Sequence, residues 1–138
     1  MSQAALRIGE LARAADVGVE TIRYYERRGL IAQPPKRESG YRQYPPDAVT
    51  RVRFIRRAQT LGFTLNEIEE LLALRVDDER SCADVRELAR AKLTDIRGRI
   101  EELKRMEKGL EKLARRCRGQ GPTTECPILD AIADAEKE

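Results

Sequence analysis

The chain of 138 residues contains no histidine and no tryptophan, and aromatic residues make up only 4% of it. The lack of histidine excludes an imidazole general base, a Ser-His-Asp or Cys-His nucleophile system, and a histidine-ligated zinc site. The sequence also has no cofactor-binding loop and no α/β pattern, so we expect a protein that is not an enzyme. The groups that remain for metal or redox chemistry are three cysteines.

Charged residues, by contrast, form 37% of the chain. Such a composition suits helices that bury narrow apolar stripes with help from a partner chain, and the length allows one small domain plus an appendage. No apolar run is long enough to span a bilayer and no secretory segment follows Met1, so we expect a cytoplasmic protein with no membrane association. In that reducing compartment the thiols would be free, metal-bound or redox-active.

The net charge of +3 is unevenly distributed. Residues 1–57 contain 12 Arg and Lys against 6 Asp and Glu, whereas the remainder contains 15 against 18. A basic amino-terminal half favours a polyanionic partner, most simply double-stranded DNA, and a solvated basic surface is the alternative.

Two short helices joined by a tight turn are predicted over residues 8–30. Val17-Gly18 interrupts the first apolar pattern, and Gly29 ends the second. The arrangement is typical of a helix-turn-helix, although any small helical hairpin looks similar. The exposed positions of the second helix carry donors for phosphates and base edges, which favours DNA binding. These positions are Thr21, Arg23, Tyr24, Arg27 and Arg28.

A short basic hairpin is predicted directly afterwards, at residues 33–48, where two Pro pairs bracket a Ser-Gly turn. A wing that touches DNA would have this pattern, and an ordinary surface loop is the alternative. Arg42 and Tyr44 are therefore further candidates for DNA binding.

Two more helices complete the predicted DNA-binding domain, residues 1–76. The first covers Asp47 to Leu61, and the second begins at a capping box formed by Thr64 and Glu67.

A long helix is predicted to begin at Cys82, with apolar residues every three or four positions for about five heptads. Because the stripe is narrow and the opposite face is charged, we expect residues 81–118 to form an antiparallel coiled-coil dimerisation helix. Residues 119–138 are predicted to form a loop and a short helix from Ile128 to about Ala135.

The three cysteines are spaced so that one chain cannot unite them. Cys82 and Cys117 lie 35 residues apart, about 52 Å along a continuous helix. An antiparallel partner brings Cys82 of one subunit beside Cys117 of the other, and Cys126 can fold back to the same place. This predicts two three-thiolate sites per dimer, suited to Hg(II) and less uniquely to Pb(II) or Cd(II). The alternative is that Cys82 and Cys117 are buried seam residues and Cys126 an incidental loop thiol.

Together these segments resemble the MerR family of transcription regulators, and within it the mercury-responsive members. The segment IGELARAADVGVETIRYYERRGL resembles the family's helix-turn-helix, GYRQY its wing, and CRGQGPTTECPIL its metal-binding loop. The resemblance implies a mostly α fold, in which a winged helix-turn-helix domain is followed by a long antiparallel coiled-coil helix and a short metal-binding loop and helix.

The resemblance also implies a homodimer on a promoter whose spacer is too long for productive contact with RNA polymerase. Metal binding would distort the DNA and switch repression to activation. By this resemblance, the leading candidates for DNA contact are Arg23, Tyr24 and Arg42. The residues that match the family's three mercury ligands are Cys82, Cys117 and Cys126. A Pb(II)- or Cd(II)-responsive regulator of the same family, a redox switch with an intersubunit Cys82–Cys117 disulfide and a plain coiled-coil adaptor are the alternatives.

Overall fold

The computed structural model describes residues 5–77 and 79–134. The chain forms two compact units, Met1–Leu88 and Ala89–Glu138, which are described separately below. Six α-helices and one short 3₁₀ helix are assigned in the described residues, so the expected mostly helical fold is confirmed. The helices are α1 (Ile8–Ala15), α2 (Val19–Arg27), α3 (Asp47–Thr60), α4 (Leu65–Arg75), α5 (Cys82–Arg116) and α6 (Pro127–Ala133), and the 3₁₀ helix is Thr123–Glu125.

The predicted helix-turn-helix is α1 and α2. The turn between them passes through Asp16, which adopts a left-handed conformation with φ 58°. Gly29 has φ +75° after α2, and the next amide, Leu30 N–H, donates to the carbonyl of Tyr25 at 2.9 Å. Glycine accepts this conformation without a Cβ clash, so it ends the recognition helix where the sequence predicts.

The wing is a small hairpin that ends in a contact with the amino-terminal segment. Lys36 pairs with Arg42 as an isolated antiparallel bridge around the turn at Gly40. A second bridge joins Leu6 to Tyr44, with N···O distances of 2.9 and 2.7 Å. The sequence predicts the hairpin but not this second pairing, which attaches the wing to the residues just before α1.

The apolar core of the first unit lies among α1, α2, α3 and α4. Two arginines of α3 also hold this unit together, since Arg51 Nε donates to the carbonyl of Leu30 at 2.6 Å and Arg53 Nη2 to that of Ala14 at 2.7 Å. These arginines therefore bond main-chain groups at the ends of the neighbouring helices. The buried core residues include Leu11, Ile22, Tyr25, Leu30, Tyr44, Val52, Ile55 and Ile68.

The capping box predicted for α4 is confirmed. Thr64 Oγ1 accepts from the Glu67 amide at 3.2 Å, and Glu67 Oε1 accepts from the Thr64 amide at 2.7 Å. Two otherwise unpaired amides of the first turn are satisfied in this way.

In the second unit α5 exposes an apolar stripe. Leu103, Met106 and Leu110 are each 60% exposed or more. The final helix begins at Pro127, a residue suited to the first helical position, and ends at Ala133. The expected end near Ala135 lies outside the described residues. None of the helices in the described ranges is long and apolar enough to cross a membrane.

Candidate DNA interface and metal site

A basic cleft of about 520 Å³ lies between the recognition helix α2 and the wing. Its cationic side chains come from the segment before α1, from α2 and from the wing, and Glu26 is the single acid among its lining residues. A groove with this charge favours a polyanion, and arginine can read guanine in the major groove. The cations of the cleft are Arg7, Arg23, Arg27, Lys36 and Arg42.

Arg23 and Arg27 lie four residues apart on α2 and both line this cleft. Arg23 pairs with Glu20 at 3.2 Å, but its side chain remains 54% exposed. The guanidinium of Arg27 lies 5.8 Å from the centre of the Tyr24 ring. Both arginines are thus accessible at the cleft, where Arg42 joins them from the wing.

Tyr24 and Thr21 do not line the cleft. The Tyr24 hydroxyl accepts from Arg28 Nη1 at 3.3 Å, while Arg28 Nη2 donates to Asn66 Oδ1 at 3.0 Å. Thr21 and Tyr24 both border a different cavity of about 320 Å³, near Arg56. The predicted DNA-binding residues of α2 therefore divide between two sides of the helix.

Tyr44 was predicted to contact DNA, but the structure places it in the core. Its side chain is 1% exposed, and its hydroxyl donates to Glu26 Oε1 at 3.0 Å. Burial, followed by the hydrogen bond with Glu26, raises the pKa of Tyr44 to about 12. Its aromatic ring packs in the apolar core and borders the cleft with very little exposed area, so Tyr44 has a structural role and its contact with DNA stays a prediction.

The sequence pattern does not predict that Arg7 lines the cleft. Arg7 places its guanidinium carbon 4.1 Å from the centre of the Tyr41 ring in the wing. The local sequence around Arg7 predicts only the start of a helix, because the contact depends on the distant pairing of Leu6 with Tyr44.

A third cavity, of about 370 Å³, is bordered by both Cys117 and Cys126. Both cysteines are half-buried and neither forms a disulfide. The amide of Gly119 donates to Cys117 Sγ at 3.4 Å. Arg116 and Arg118 also line the cavity and add positive charge around the sulfur atoms. This donor set fits a thiophilic metal ion.

Cys82, the third predicted ligand, is the first residue of α5 and is exposed. The turn before it is fixed by Asp84, which accepts from Arg80 Nε at 3.1 Å and from the Ser81 amide at 3.0 Å. The Arg80 hydrogen bond, followed by that of Ser81, lowers the pKa of the Asp84 carboxyl. Across residues 5–77 and 79–134, no group of three His, Cys, Asp or Glu side chains is gathered closely enough to hold a metal ion.

Comparisons with known proteins identify family matches and relatives that cover nearly the whole chain. Residues 6–74 match the family described as MerR HTH family regulatory protein, and residues 49–113 match the one described as MerR, DNA binding. The chain is 48% identical to the mercuric resistance operon regulatory protein of Bacillus cereus, over 91% of this chain and 96% of the relative. It is 44% identical to the protein of the same name from Serratia marcescens, over 96% of this chain and 90% of the relative.

A solved structure is similar over nearly the whole chain. The transcription regulator PbrR691 from Ralstonia metallidurans CH34, in complex with lead(II), has a TM-score of 0.81 at 38% identity and covers 92% of this chain and 98% of its own. The sequence match to the Bacillus cereus relative and the structural match to PbrR691 each cover more than nine tenths of this chain. The chain belongs to the MerR family of helix-turn-helix transcription regulators.

Proposed function

We propose that the protein is a dimeric, mercury(II)-responsive regulator of a metal-resistance promoter. It represses transcription without metal and activates transcription when metal binds, by distorting the promoter DNA for RNA polymerase. The observation that carries the proposal is the cavity shared by Cys117 and Cys126 beside two arginines. The names of the relatives, which are mercuric resistance operon regulatory proteins, support mercury as the effector.

Each metal site uses Cys117 and Cys126 of one chain and Cys82 of the partner subunit. A 35-residue helix starts at Cys82 and ends just before Cys117, and at 1.5 Å per residue it is about 52 Å long. A three-sulfur site within one chain is therefore ruled out by length, whereas an antiparallel pair of α5 helices supplies it at both ends. A metal ion bound at such a site would form three strong bonds to cysteine sulfur atoms.

The position of the three ligands explains how metal binding reaches the DNA. Cys82 belongs to the compact unit that contains the helix-turn-helix, whereas Cys117 and Cys126 belong to the other unit. A shared site therefore joins Cys82 at the start of α5 in one chain to the Cys117 and Cys126 loop of its partner. Metal binding shifts the equilibrium between the repressing and the activating conformation of the dimer. The size of the shift depends on how much more tightly the ion binds the activating conformation. Bending the promoter costs on the order of 1–6 kcal/mol, which protein–DNA contacts offset.

DNA is contacted mainly through Arg23, Arg27 and Arg42, which share the cleft. Thr21 and Tyr24, which border the cavity near Arg56, contact the DNA backbone. We expect Arg23→Ala to weaken binding to an operator duplex by about 1–3 kcal/mol and to relax base preference. Fluorescence anisotropy against the operator and against duplexes with single base changes measures both effects. An unchanged dissociation constant and base preference would remove Arg23 from the interface.

Titration of the dimer with Hg(II) tests the metal site. We expect one ion per subunit, with ultraviolet thiolate–metal absorption, because the site has three thiols and no other donors. Cys117→Ser should remove both the absorption and the tight binding, whereas Thr124→Ala, in the same loop, should keep them. Retention of the full stoichiometry and absorption in Cys117→Ser would contradict the site.

A mixed dimer tests the contribution from both chains. The Cys82→Ser variant and the Cys117→Ser, Cys126→Ser double variant should each fail to form a three-thiolate site as homodimers. Their heterodimer should regain one site of the two, since one end then combines intact Cys82 with intact Cys117 and Cys126. Recovery of no site after exchange of subunits would place all the ligands in one chain or in a different arrangement.

Lead(II) is the second candidate effector, because the similar PbrR691 structure contains lead(II). Both ions accept sulfur ligands, so the donor set alone does not separate them. In vitro transcription from the target promoter, with Hg(II), Pb(II) or Cd(II) at equal free concentration, distinguishes them. Mercury should give half-maximal activation at the lowest concentration, and activation by Pb(II) at a lower concentration would identify a lead regulator.

A further inference from the structure

Glu26 occupies an unusual position for an acidic residue, inside the cationic cleft between α2 and the wing. It lies on the recognition helix between the two arginines Arg23 and Arg27. A carboxylate at a surface for DNA opposes binding unless it has another task, because it repels phosphates. Its Oε1 atom accepts a hydrogen bond from the hydroxyl of Tyr44, at 3.0 Å, across a separation of 18 residues.

Tyr44 is a firm anchor for the wing. Its side chain is almost fully buried in the core, and its main chain exchanges two hydrogen bonds with Leu6. Arg42 precedes it by two residues in extended chain, where alternate side chains lie on the same face. Both side chains accordingly line the cleft, so the position of Tyr44 determines where Arg42 enters it.

The residues that line the cleft also include one acidic and one basic side chain with a buried polar atom. Glu26 Oε2 and Arg42 Nε are both buried, and neither has a hydrogen-bond partner. Buried polar atoms without partners are costly, and they are retained mainly where they serve function. The acidic group on α2 and the basic group on the wing line the same cleft, where opposite charges favour each other.

We propose that Glu26 is a positioning residue: by accepting the Tyr44 hydroxyl, it holds the wing so that Arg42 meets DNA together with Arg23 and Arg27. The inference rests on the proposed function, in which Arg42 contacts the operator. Glu26 itself does not touch DNA. Its role is to set the distance between the recognition helix and the wing.

Operator affinity of single and double variants tests this role. The probe is an operator duplex selected by the wild-type dimer from a random library, and binding is measured at fixed salt. We expect Arg42→Ala to weaken binding about tenfold, and Glu26→Ala and Tyr44→Phe to weaken it about fivefold each. Glu26→Gln keeps an oxygen that accepts the Tyr44 hydroxyl, so it should stay within about threefold of wild type.

Double variants separate positioning from a general loss of structure. Combined with Arg42→Ala, Tyr44→Phe should cost nothing more, because the group that it positions is already absent. Combined with Arg23→Ala, it should add its full fivefold effect. Thermal unfolding of each variant, followed by circular dichroism, confirms that binding is measured on folded protein.

Four other outcomes would contradict the inference, each at a different step. Additive losses from Tyr44→Phe and Arg42→Ala would show that Tyr44 acts on something other than Arg42. A Glu26→Gln variant as weak as Glu26→Ala would overturn the hydrogen bond as the cause. If Arg42→Ala alone has no effect, the DNA contact of Arg42 in the proposed function fails and the positioning role fails with it. Normal binding by Tyr44→Phe with weak binding by Arg42→Ala would overturn the positioning role alone.

Discussion

At the scale of single residues, Tyr44 and Arg42 show how two neighbours in one basic segment take different roles. Tyr44 has the sequence context of a DNA-contacting aromatic residue, but burial makes it part of the core. Arg42 is half-buried and still lines the cleft with Arg23 and Arg27. The Tyr44 hydroxyl has its acceptor, Glu26, 18 residues away on α2.

The raised pKa of Tyr44 makes its contribution to stability dependent on pH. Its pKa is about 12 in the folded protein, against an ordinary value of 10, because burial disfavours the phenolate. The contribution is therefore complete below pH 10 and is lost as the pH rises through 12. We expect the melting temperature of the wild type to fall more steeply between pH 10 and 12 than that of Tyr44→Phe. Tyr41→Phe, at an exposed wing position, should retain the wild-type slope, and equal slopes in all three proteins would contradict the prediction.

At the scale of elements, helix ends are set by local chemistry that can be read from the sequence. Gly29 ends α2, and the Thr64 and Glu67 side chains begin α4, as predicted. The first turn of α5 at Cys82 is likewise preceded by Ser81, whose hydroxyl accepts from the Ala83 amide at 3.2 Å. These signals involve residues within a few positions of one another, so no tertiary contact is needed to predict them.

Two glycine variants should change stability in opposite directions. Gly29 has φ +75°, a conformation that L-residues avoid, so Gly29→Ala should destabilise the protein by about 1–2 kcal/mol. Gly98 lies inside α5 with open space around its Cα, so Gly98→Ala should stabilise it by up to about 1 kcal/mol. Urea unfolding at one fixed protein concentration measures both. A gain in stability from Gly29→Ala would contradict the left-handed helix end.

At the scale of the whole molecule, the two units differ in how they are stabilised. The first contains an apolar core among four helices, whereas α5 in the second leaves Leu103, Met106 and Leu110 exposed. A helix with an exposed apolar stripe and a charged opposite face gains most of its stability from a partner. The scarcity of aromatic residues has the same consequence, because one chain has few bulky groups with which to build a second core.

A charge on the apolar stripe should separate the dimer. Leu103→Asp places a carboxylate where the partner helix packs, so we expect monomers in sedimentation velocity and a loss of operator binding. Thr94→Asp adds the same charge on the opposite face of α5 and serves as the matched control. A dimeric Leu103→Asp protein with normal operator affinity would show that this stripe is not the interface.

The helices, the wing and the candidate ligands could be predicted from the sequence, while the contacts that link distant segments could not. The spacing of Cys117 and Cys126 predicts a shared loop, and both cysteines border one cavity. Arg7 and Tyr44 follow no local pattern, because the pairing of residues 6 and 44 decides their surroundings. The site that unites Cys82 with Cys117 stays a prediction, since it requires a second chain.

The hydrogen bonds of the α3 arginines have a consequence for ionic strength. Arg51 Nε and Arg53 Nη2 donate to the carbonyls of Leu30 and Ala14, so these donor atoms are not available to DNA phosphates. Of the 12 basic residues in the amino-terminal half, we expect the five that line the cleft to neutralise phosphates and to determine how binding depends on salt. For one subunit, the logarithm of the association constant should fall against the logarithm of salt concentration with a slope of about −4 to −5. The slope from a salt titration thus gives the number of arginines and lysines that contact phosphates. Basic residues that only stabilise the fold do not contribute to this slope.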